Sequence, residues 1–282
     1  MATRLGIIAG GGALPRRLAE HVRTSGDDPF LLGVSGFVDP SLVAEFNGVQ
    51  FAIGEIGKQI DALNAAGCRD IVFAGVVKRP DFQHLRLDVR GALILPRLVA
   101  AAAKGDDALL RVIVAVFSEA GFNVLGADDV IVELLCPAGP LGAHKPGEAH
   151  WSDIRHAARI ARVMGEFDIG QGAVSCGGVI LAVEAQEGTD SMIDRCAGLP
   201  PELRGSLASR RGVLVKRPKP IQERRIDLPT IGPQTVKKAA AAGFAGIALE
   251  AGGALVLDRA ETAALADASG LFVYGFRADE TA

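Results

Sequence analysis

The residues best suited to chemistry in this sequence lie between Val183 and Gly232, where acidic and basic side chains are concentrated. The acids of the first part of this segment are Glu184, Glu187, Asp190 and Asp194. The charged residues of the second part are Lys216, Arg217, Lys219, Glu223, Arg224, Arg225 and Asp227. Acids beside bases suit a phosphate ester bound with a divalent metal, because carboxylates hold the metal while Lys and Arg neutralise the phosphoryl oxygens.

Other chemistries find little support in the residue spacing. Nucleophilic catalysis needs an activated Ser or Cys beside a base, yet the sequence has no GxSxG, and no His stands near Ser175, Cys176 or Ser191. The sequence also lacks the HExxH-like spacing of histidines that zinc hydrolases use. The remaining alternative is structural, since these acids and bases could simply form salt bridges with one another.

Composition narrows the class of protein. The chain has 282 residues, a formal net charge of −3, 49% hydrophobic residues, 35 glycines and only 5% aromatics. These values favour an α/β globular protein of two domains and argue against nucleic acid as a partner. The 4 cysteines form no CxxC pair, which fits a reducing compartment. With no apolar run of about 18 residues, we expect a cytoplasmic protein, while contact with a membrane surface stays open.

The first half begins with a strand, a glycine-rich turn and a helix. Leu5 to Ala9 is an apolar run, Gly10 to Gly12 follow, and a helix is predicted from Leu14 to Arg23. This geometry aims backbone N–H groups at an anion, so we expect Gly11, Gly12, Ala13 and Leu14 to contact a phosphate or sugar. The pattern GGGALP differs from G-x-G-x-x-G, and a tight turn without a ligand is the alternative.

Further strands and helices alternate up to residue 135. Lys78 and Arg79 follow a buried strand and Gly75, where α/β proteins bind ligands, although an ordinary basic loop would look the same. Later elements are a helix from Ala92 to Ala103 and a closing strand from Asp129 to Leu135. The alternation predicts a Rossmann-like parallel sheet over residues 1–135.

The proline- and glycine-rich stretch Cys136 to His150 is predicted to be an interdomain linker. A second, unrelated α/β domain is expected over 151–282, with the ligand cleft between the two domains. It contains the glycine-dense segment Gly170 to Gly178, whose residues allow close backbone approach. Thr189 is the expected N-cap of a helix from Asp190 to Cys196.

Five stretches of the chain carry a resemblance to a known family. They are IIAGGGALP, AGVVKRP, KGDDALLR, DIGQGAVSCGGVILAVEAQEGTD and GVLVKRPKPIQERRIDLPTIGPQT. In this order, and over nearly the whole chain, they resemble the UDP-2,3-diacylglucosamine pyrophosphatases of lipid A biosynthesis, of the type unrelated to calcineurin-like phosphoesterases. The DxH and GNHD-like signatures of the calcineurin-like enzymes are absent.

The resemblance implies a metal-dependent hydrolase that cleaves UDP-2,3-diacylglucosamine into UMP and 2,3-diacylglucosamine 1-phosphate (lipid X), with water attacking the α-phosphorus. A UDP-sugar or lipid carrier without turnover is the alternative. Mg²⁺ or Mn²⁺ is the implied cofactor, and peripheral contact with the inner membrane is compatible with such a substrate. No oligomeric state is implied.

The site residues expected on this basis fall into three groups. The catalytic candidates are Asp227, Glu223 and Asp190. The metal candidates are Asp227, Glu187 and Asp190. The substrate-binding candidates are Gly11, Gly12, Ala13, Leu14, Gly75, Lys78, Arg79, Lys104, Thr189, Lys216, Lys219 and Arg224. We also expect Arg224 and Arg225 to hold the pKa of Asp227 low, because nearby cations favour the charged carboxylate.

Overall fold

The structure, a computed structural model, describes residues 4–281. Residues 1–3 and 282, at the outer ends of the two predicted domains, lie outside the described residues. The chain forms two compact units. The first takes in the described chain up to Val132 together with Glu223–Ile226, and the second takes in Glu133–Gln222 and the chain from Asp227 onward. The prediction of two α/β domains is confirmed.

The first unit alternates strands and helices. Its elements are β1 (Arg4–Ala9), α1 (Leu14–Thr24), β2 (Phe30–Val34), α2 (Pro40–Glu45), β3 (Val49–Phe51), α3 (Ile56–Ala65), β4 (Cys68–Ala74), α4 (Val89–Ala102), α5 (Asp106–Glu119), β5 (Asn123–Leu125) and α6 (Ala127–Val130). The five strands pair in parallel in the order β3-β2-β1-β4-β5, which confirms the Rossmann-like sheet. β2 is buried along its whole length, as expected for a parallel strand covered on both faces.

The strand predicted from Asp129 to Leu135 is wrong. The chain there forms α6 and then a 3₁₀ turn at Val132–Leu134. Asp129 explains the difference, because its carboxylate accepts a hydrogen bond from the Gly126 N–H at 2.8 Å and so stabilises a helix start. The last strand of the sheet is β5, a few residues earlier.

The second unit contains a mixed sheet. Its elements are β6 (Gly139–Pro140), α7 (Glu148–Glu166), β7 (Gly172–Cys176), β8 (Val179–Val183), α8 (Gly188–Ala197), α9 (Pro201–Arg204), β9 (Arg211–Lys216), β10 (Thr230–Ile231), α10 (Pro233–Ala241), β11 (Phe244–Glu250), β12 (Leu255–Val256), α11 (Arg259–Ala268) and β13 (Phe272–Phe276). Six strands pair in the order β6-β13-β11-β9-β7-β8, and β10 pairs with β12 apart from them. The segment predicted as a linker thus supplies β6 and the start of α7.

Side chains of the six-stranded sheet alternate between its two faces, and each face packs in its own hydrophobic core. Val213 and Val215 of β9 pack with α7 on one face, while Leu214 packs with residues of α8, α10 and α11 on the other. Successive side chains of a strand point to opposite faces, so both faces of this sheet are covered and its centre is dry. The polar side chains that the sheet could bring to a site are therefore expected at the ends of its strands.

Candidate active site

The end of the six-stranded sheet brings several charged residues together. β8 ends directly before Glu184, and β9 ends at Lys216. Lys216 is the register partner of Gly172, the first residue of β7, and the Glu184 N–H donates to the Gly172 carbonyl at 2.8 Å. β8 and β9 both run antiparallel to β7, so Glu184 and Lys216 leave the sheet at the same edge. Carboxyl ends of strands are where α/β proteins bind ligands.

Glu184 and Lys216 form a buried ion pair bridged by Thr189. The Lys216 Nζ lies 3.5 Å from Glu184 Oε1 and donates to Thr189 Oγ1 at 2.5 Å, while the Thr189 hydroxyl donates to Glu184 Oε1 at 2.6 Å. Glu184 is 6% exposed and Lys216 is 3% exposed. Thr189 is therefore not the N-cap of α8, a place taken by Glu187, because its hydroxyl is engaged within this cluster.

Two glycines make room for Glu184. A Cβ on Gly172 would lie 2.6 Å from Glu184 Oε2, and one on Gly170 would lie 1.9 Å from the Glu184 carbonyl oxygen. This is the close backbone approach that the glycine-dense sequence predicts. Within residues 4–281, Glu184 Oε2 is buried without a hydrogen-bond partner. A buried carboxylate oxygen without a hydrogen bond costs free energy of folding.

Asp227 lies beside this ion pair and has a perturbed pKa. Its Oδ2 accepts a hydrogen bond from Gln222 Nε2 at 2.8 Å. Burial raises the pKa of Asp227 to about 6, against the lowering effect of Lys219 and Lys216, and the nearby Glu184 carboxylate adds to the rise. The predicted low pKa is thus wrong, because desolvation outweighs the cations and those that act on Asp227 are lysines.

A second layer of polar contacts holds the segment that carries Asp227. Gln222 Nε2 also donates to Gln171 Oε1 at 2.9 Å, and its Oε1 accepts from the Lys219 N–H at 2.7 Å. Lys219 Nζ contacts Asp168 Oδ1 at 2.6 Å, and both side chains are 10% exposed. These bonds connect the irregular chain after β9 to the turn before β7. They fix Asp227 and Lys219 at one edge of the sheet.

The three predicted metal ligands do not converge. Glu187 is paired with Arg195 at 2.6 Å, and Asp190 is exposed on the first turn of α8. In the described part of the chain, no group of three or more His, Cys, Asp or Glu side chains could hold a metal ion. Asp227, Glu187 and Asp190 therefore do not form a ready-made site, and Mg²⁺ or Mn²⁺ stays a prediction.

Glu223 and Arg224 belong to the first unit. The Glu223 N–H donates to Asp107 Oδ1 at 2.5 Å, and its carboxylate receives two hydrogen bonds of 2.8 Å from Arg225. The hydrogen bonds from Arg225 lower the pKa of Glu223. A carboxylate held in this way is a weak proton acceptor, so this geometry favours Asp227 over Glu223 as a base.

The glycine turn after β1 meets the loop after β4. Gly11 and Val76 exchange two backbone hydrogen bonds of 2.9 and 2.8 Å. Gly75 has φ +87°, and a Cβ there would lie 2.3 Å from the Gly11 carbonyl oxygen, so only glycine fits. The predicted contacts Gly11 and Gly75 are thereby neighbours at the carboxyl edge of the parallel sheet.

Other predicted contacts of the first unit have defined places. Gly12 has φ +90°, Ala13 is the N-cap of α1 and Leu14 is its first residue. Arg79 donates to the Ala102 carbonyl at 2.7 Å and contacts Asp106 at 3.2 Å. Lys78 and Lys104 are exposed, the latter just beyond α4.

Both halves of the chain match models of one protein family. The LpxI N-terminal domain matches residues 4–134, and the LpxI C-terminal domain matches residues 137–274. The chain belongs to the LpxI family. It is 52% identical over 272 residues to the UDP-2,3-diacylglucosamine pyrophosphatase LpxI of Caulobacter vibrioides (strain ATCC 19089 / CIP 103742 / CB 15), covering 96% of this chain and 97% of that protein. The predicted family is confirmed.

The buried cluster around Asp227 lies within the match to the LpxI C-terminal domain, and the paired glycine loops lie within the match to the LpxI N-terminal domain. Several members of the cluster were not among the predicted site residues: Glu184, Asp168, Gln171 and Gln222. The sequence offered one signal for them, the polar residues on either side of the glycine-dense strand. In the described chain, no helix of this LpxI family member is both long and apolar enough to span a membrane.

Proposed function

We propose that this protein hydrolyses UDP-2,3-diacylglucosamine to UMP and 2,3-diacylglucosamine 1-phosphate in lipid A biosynthesis, by attack of water on the α-phosphorus. The observation that carries the proposal is Asp227, a carboxylate with a pKa near 6 beside two lysines. It lies in the part of the chain that matches the LpxI C-terminal domain. The related protein from Caulobacter vibrioides is named for this substrate.

Asp227 would act as the general base. A carboxyl group with a pKa of about 6 is ionised at neutral pH, yet it binds a proton more readily than an ordinary aspartate. Its Oδ2 is engaged by Gln222, which fixes the orientation of the carboxylate. The other oxygen, Oδ1, would hold the attacking water. This arrangement matches the base to the reaction at cytoplasmic pH.

The lysines would neutralise the pyrophosphate. Lys216 and Lys219 both lower the pKa of Asp227, which places their positive charge near its carboxylate. The same charge favours the negative phosphoryl oxygens of a substrate and of its transition state. Glu184 and Thr189 hold the Lys216 ammonium in position, and Asp168 does so for Lys219.

The bond changes follow from this placement. The oxygen of water forms a bond to the α-phosphorus, and its proton passes to Asp227. The bond between the α-phosphorus and the bridging oxygen breaks, and that oxygen leaves with the β-phosphate as the 1-phosphate of the sugar. The uridine half departs as UMP. No residue becomes covalently modified in this scheme.

Mg²⁺ or Mn²⁺ is part of the same proposal. Because no group of three or more protein ligands is found among the described residues, the ion would be held mainly by pyrophosphate oxygens and water. It would supply neutralisation of phosphoryl charge.

A turnover assay in ¹⁸O water tests the proposal. We expect UMP as the nucleotide product, with the label in UMP and not in the sugar phosphate, and we expect EDTA to abolish activity and added Mg²⁺ to restore it. Tight binding of substrate without turnover under all metal conditions would instead identify a carrier. Label in the sugar phosphate would move the attack to the β-phosphorus.

A further inference from the structure

Asp107 is a buried acidic side chain at the start of α5. Its side chain is 8% exposed, against 28% for Asp106, the preceding residue of the same helical turn. Asp106 forms an ion pair with Arg79. A buried carboxylate costs free energy of folding unless hydrogen bonds and charges replace the water that it has lost. The partners of Asp107 therefore show what this side chain holds in place.

The two carboxylate oxygens of Asp107 contact different parts of the chain. Oδ2 accepts a hydrogen bond from Arg111 Nε at 2.6 Å, one turn further along α5, and this bond raises the pKa of Arg111. Oδ1 accepts a hydrogen bond from the Glu223 backbone N–H at 2.5 Å, 116 residues further along the chain. The first contact is local to the helix, whereas the second joins the helix to a distant piece of backbone.

That piece of backbone is a turn, Glu223–Ile226, which belongs to the same unit as Asp107. The Ile226 N–H donates to the Glu223 carbonyl at 3.2 Å, and the Ile226 side chain packs against the hydrophobic core of the first unit. Hydrogen bonds to a charged acceptor are stronger than those between neutral groups. Asp107 thus fixes the first residue of the turn, and the core fixes its last.

The residues on either side of the turn belong to the proposed active site. Gln222 precedes the turn and Asp227 follows it. Gln222 Nε2 donates to Asp227 Oδ2 at 2.8 Å, so a hydrogen bond joins the two ends of the turn. This part of the chain lies between β9 and β10, outside any helix or strand. The position of the Asp227 backbone therefore depends on the turn that precedes it.

We propose that Asp107 is a positioning residue for Asp227, because it holds the Glu223 N–H and thereby fixes the turn from which the base extends. The proposal rests on the proposed role of Asp227 as general base. A base must lie within hydrogen-bond distance of the attacking water, and a misplacement of about 1 Å can cost about 100-fold in rate. Asp107 itself touches neither the substrate nor the water in this scheme.

Two variants of Asp107 test the proposal by kinetics. Asp107→Ala removes the acceptor of the Glu223 N–H, and we expect kcat to fall about 10-fold or more, because the base is no longer held in place. KM should stay within about twofold of its wild-type value, since the lysines proposed to bind the pyrophosphate are unchanged. Asp107→Asn keeps an oxygen that can accept from the Glu223 N–H, so it should recover most of the lost kcat.

Asp88→Ala is the matched control for a loss of stability alone. Asp88 is the N-cap of α4 in the first unit, and its carboxylate likewise accepts a hydrogen bond from a distant backbone group, the Lys58 N–H, at 2.9 Å. We expect Asp88→Ala to lower the melting temperature as Asp107→Ala does and to leave kcat unchanged. An equal loss of kcat in the two alanine variants would overturn the proposal, as would a normal kcat in folded Asp107→Ala.

A double variant tests whether Asp107 acts through Asp227. If it does, adding Asp107→Ala to Asp227→Asn should lower kcat further by at most about twofold, since the carboxylate to be positioned is already gone. A residue that only supports folding would lower kcat by the same factor in both backgrounds. Losses that multiply in full would therefore refute the proposal.

Hydrogen exchange measures the hold on the turn without any turnover. In Asp107→Ala, the backbone amides of Glu223–Ile226 should exchange faster than in the wild-type protein, while those of β1 and β4 keep their rates. Unchanged exchange in the turn would overturn the proposal. Wild-type protein that does not hydrolyse the substrate would refute the proposed function, and exchange would still decide whether Asp107 holds the turn.

Discussion

Replacing Asp227 by Asn separates a catalytic carboxylate from a structural one. The change keeps the shape of the side chain and an oxygen that can accept from Gln222, but it removes the ability to take a proton. Loss of a general base costs roughly 10²–10⁴ in rate. We therefore expect kcat to fall at least about 100-fold with little change in substrate affinity. Asp194→Asn, on an exposed residue paired with Lys238, is the control and should leave kcat unchanged.

The same variant should be more stable than the wild-type protein at neutral pH. The pKa of Asp227 rises from 3.8 to about 6, a shift that corresponds to about 3 kcal/mol. Because the folded state holds the proton more tightly than the unfolded state, stability falls as pH rises between these two values, and the whole loss is present above pH 6. Asn has no charge to desolvate, so the variant should be free of this loss.

Urea denaturation at pH 4 and pH 7.5, with steady-state kinetics, measures both effects. From pH 4 to pH 7.5, ionisation of Asp227 should lower the free energy of unfolding of the wild-type protein. The decrease over the same range should be smaller in Asp227→Asn, by up to about 3 kcal/mol. The rate of the wild-type enzyme should rise with pH as Asp227 ionises near pH 6. A folded Asp227→Asn protein with near-normal kcat and lower stability would refute the reasoning and leave a salt bridge as the role of Asp227.

Two further substitutions test the geometry around the strand ends. Glu184→Gln removes the carboxylate of the buried ion pair with Lys216, so we expect a loss of about 3–5 kcal/mol in the free energy of unfolding, measured in urea, and a lower kcat. A stability unchanged from wild type would show that the pair is not buried in solution. Gly75→Ala forces a Cβ against the Gly11 carbonyl oxygen and should destabilise the protein well beyond Gly26→Ala, whose added Cβ at φ +91° meets nothing within 4 Å. Similar melting temperatures for the two alanine variants would contradict the close approach of the two loops.

The parallel sheet was predictable because its signals are local. β1 and β4 are short apolar runs followed directly by a glycine, and the turn at Gly10 to Gly12 is visible in the sequence alone, whereas the short strand β5 was not predicted. The false strand at Asp129 shows the limit. An apolar run with β-branched residues looks like a strand, and a single carboxylate that caps a helix start overrides it.

The cluster proposed as the active site was predictable only in part. Lys216 and Asp227 were expected from their charged segment, but the importance of Glu184 depends on the pairing of Gly172 with Lys216, a contact between distant parts of the chain. The pKa of Asp227 was predicted in the wrong direction for a similar reason. Neighbours in sequence suggested arginines, whereas burial and lysines decide the value in the fold.

The segment Glu223–Ile226 determines where the chain can be cut into independent parts. It belongs to the first unit, where Ile226 packs against the hydrophobic core, although the chain on both sides of it belongs to the second. The backbone therefore passes from one unit to the other after Val132, after Gln222 and again after Ile226. A gene fragment that ends near residue 135 would encode a first unit without part of its own core, and a protease cut at that point would leave Ile226 of the second piece packed in the core of the first. Asp227, the proposed base, is the first residue after the chain re-enters the second unit.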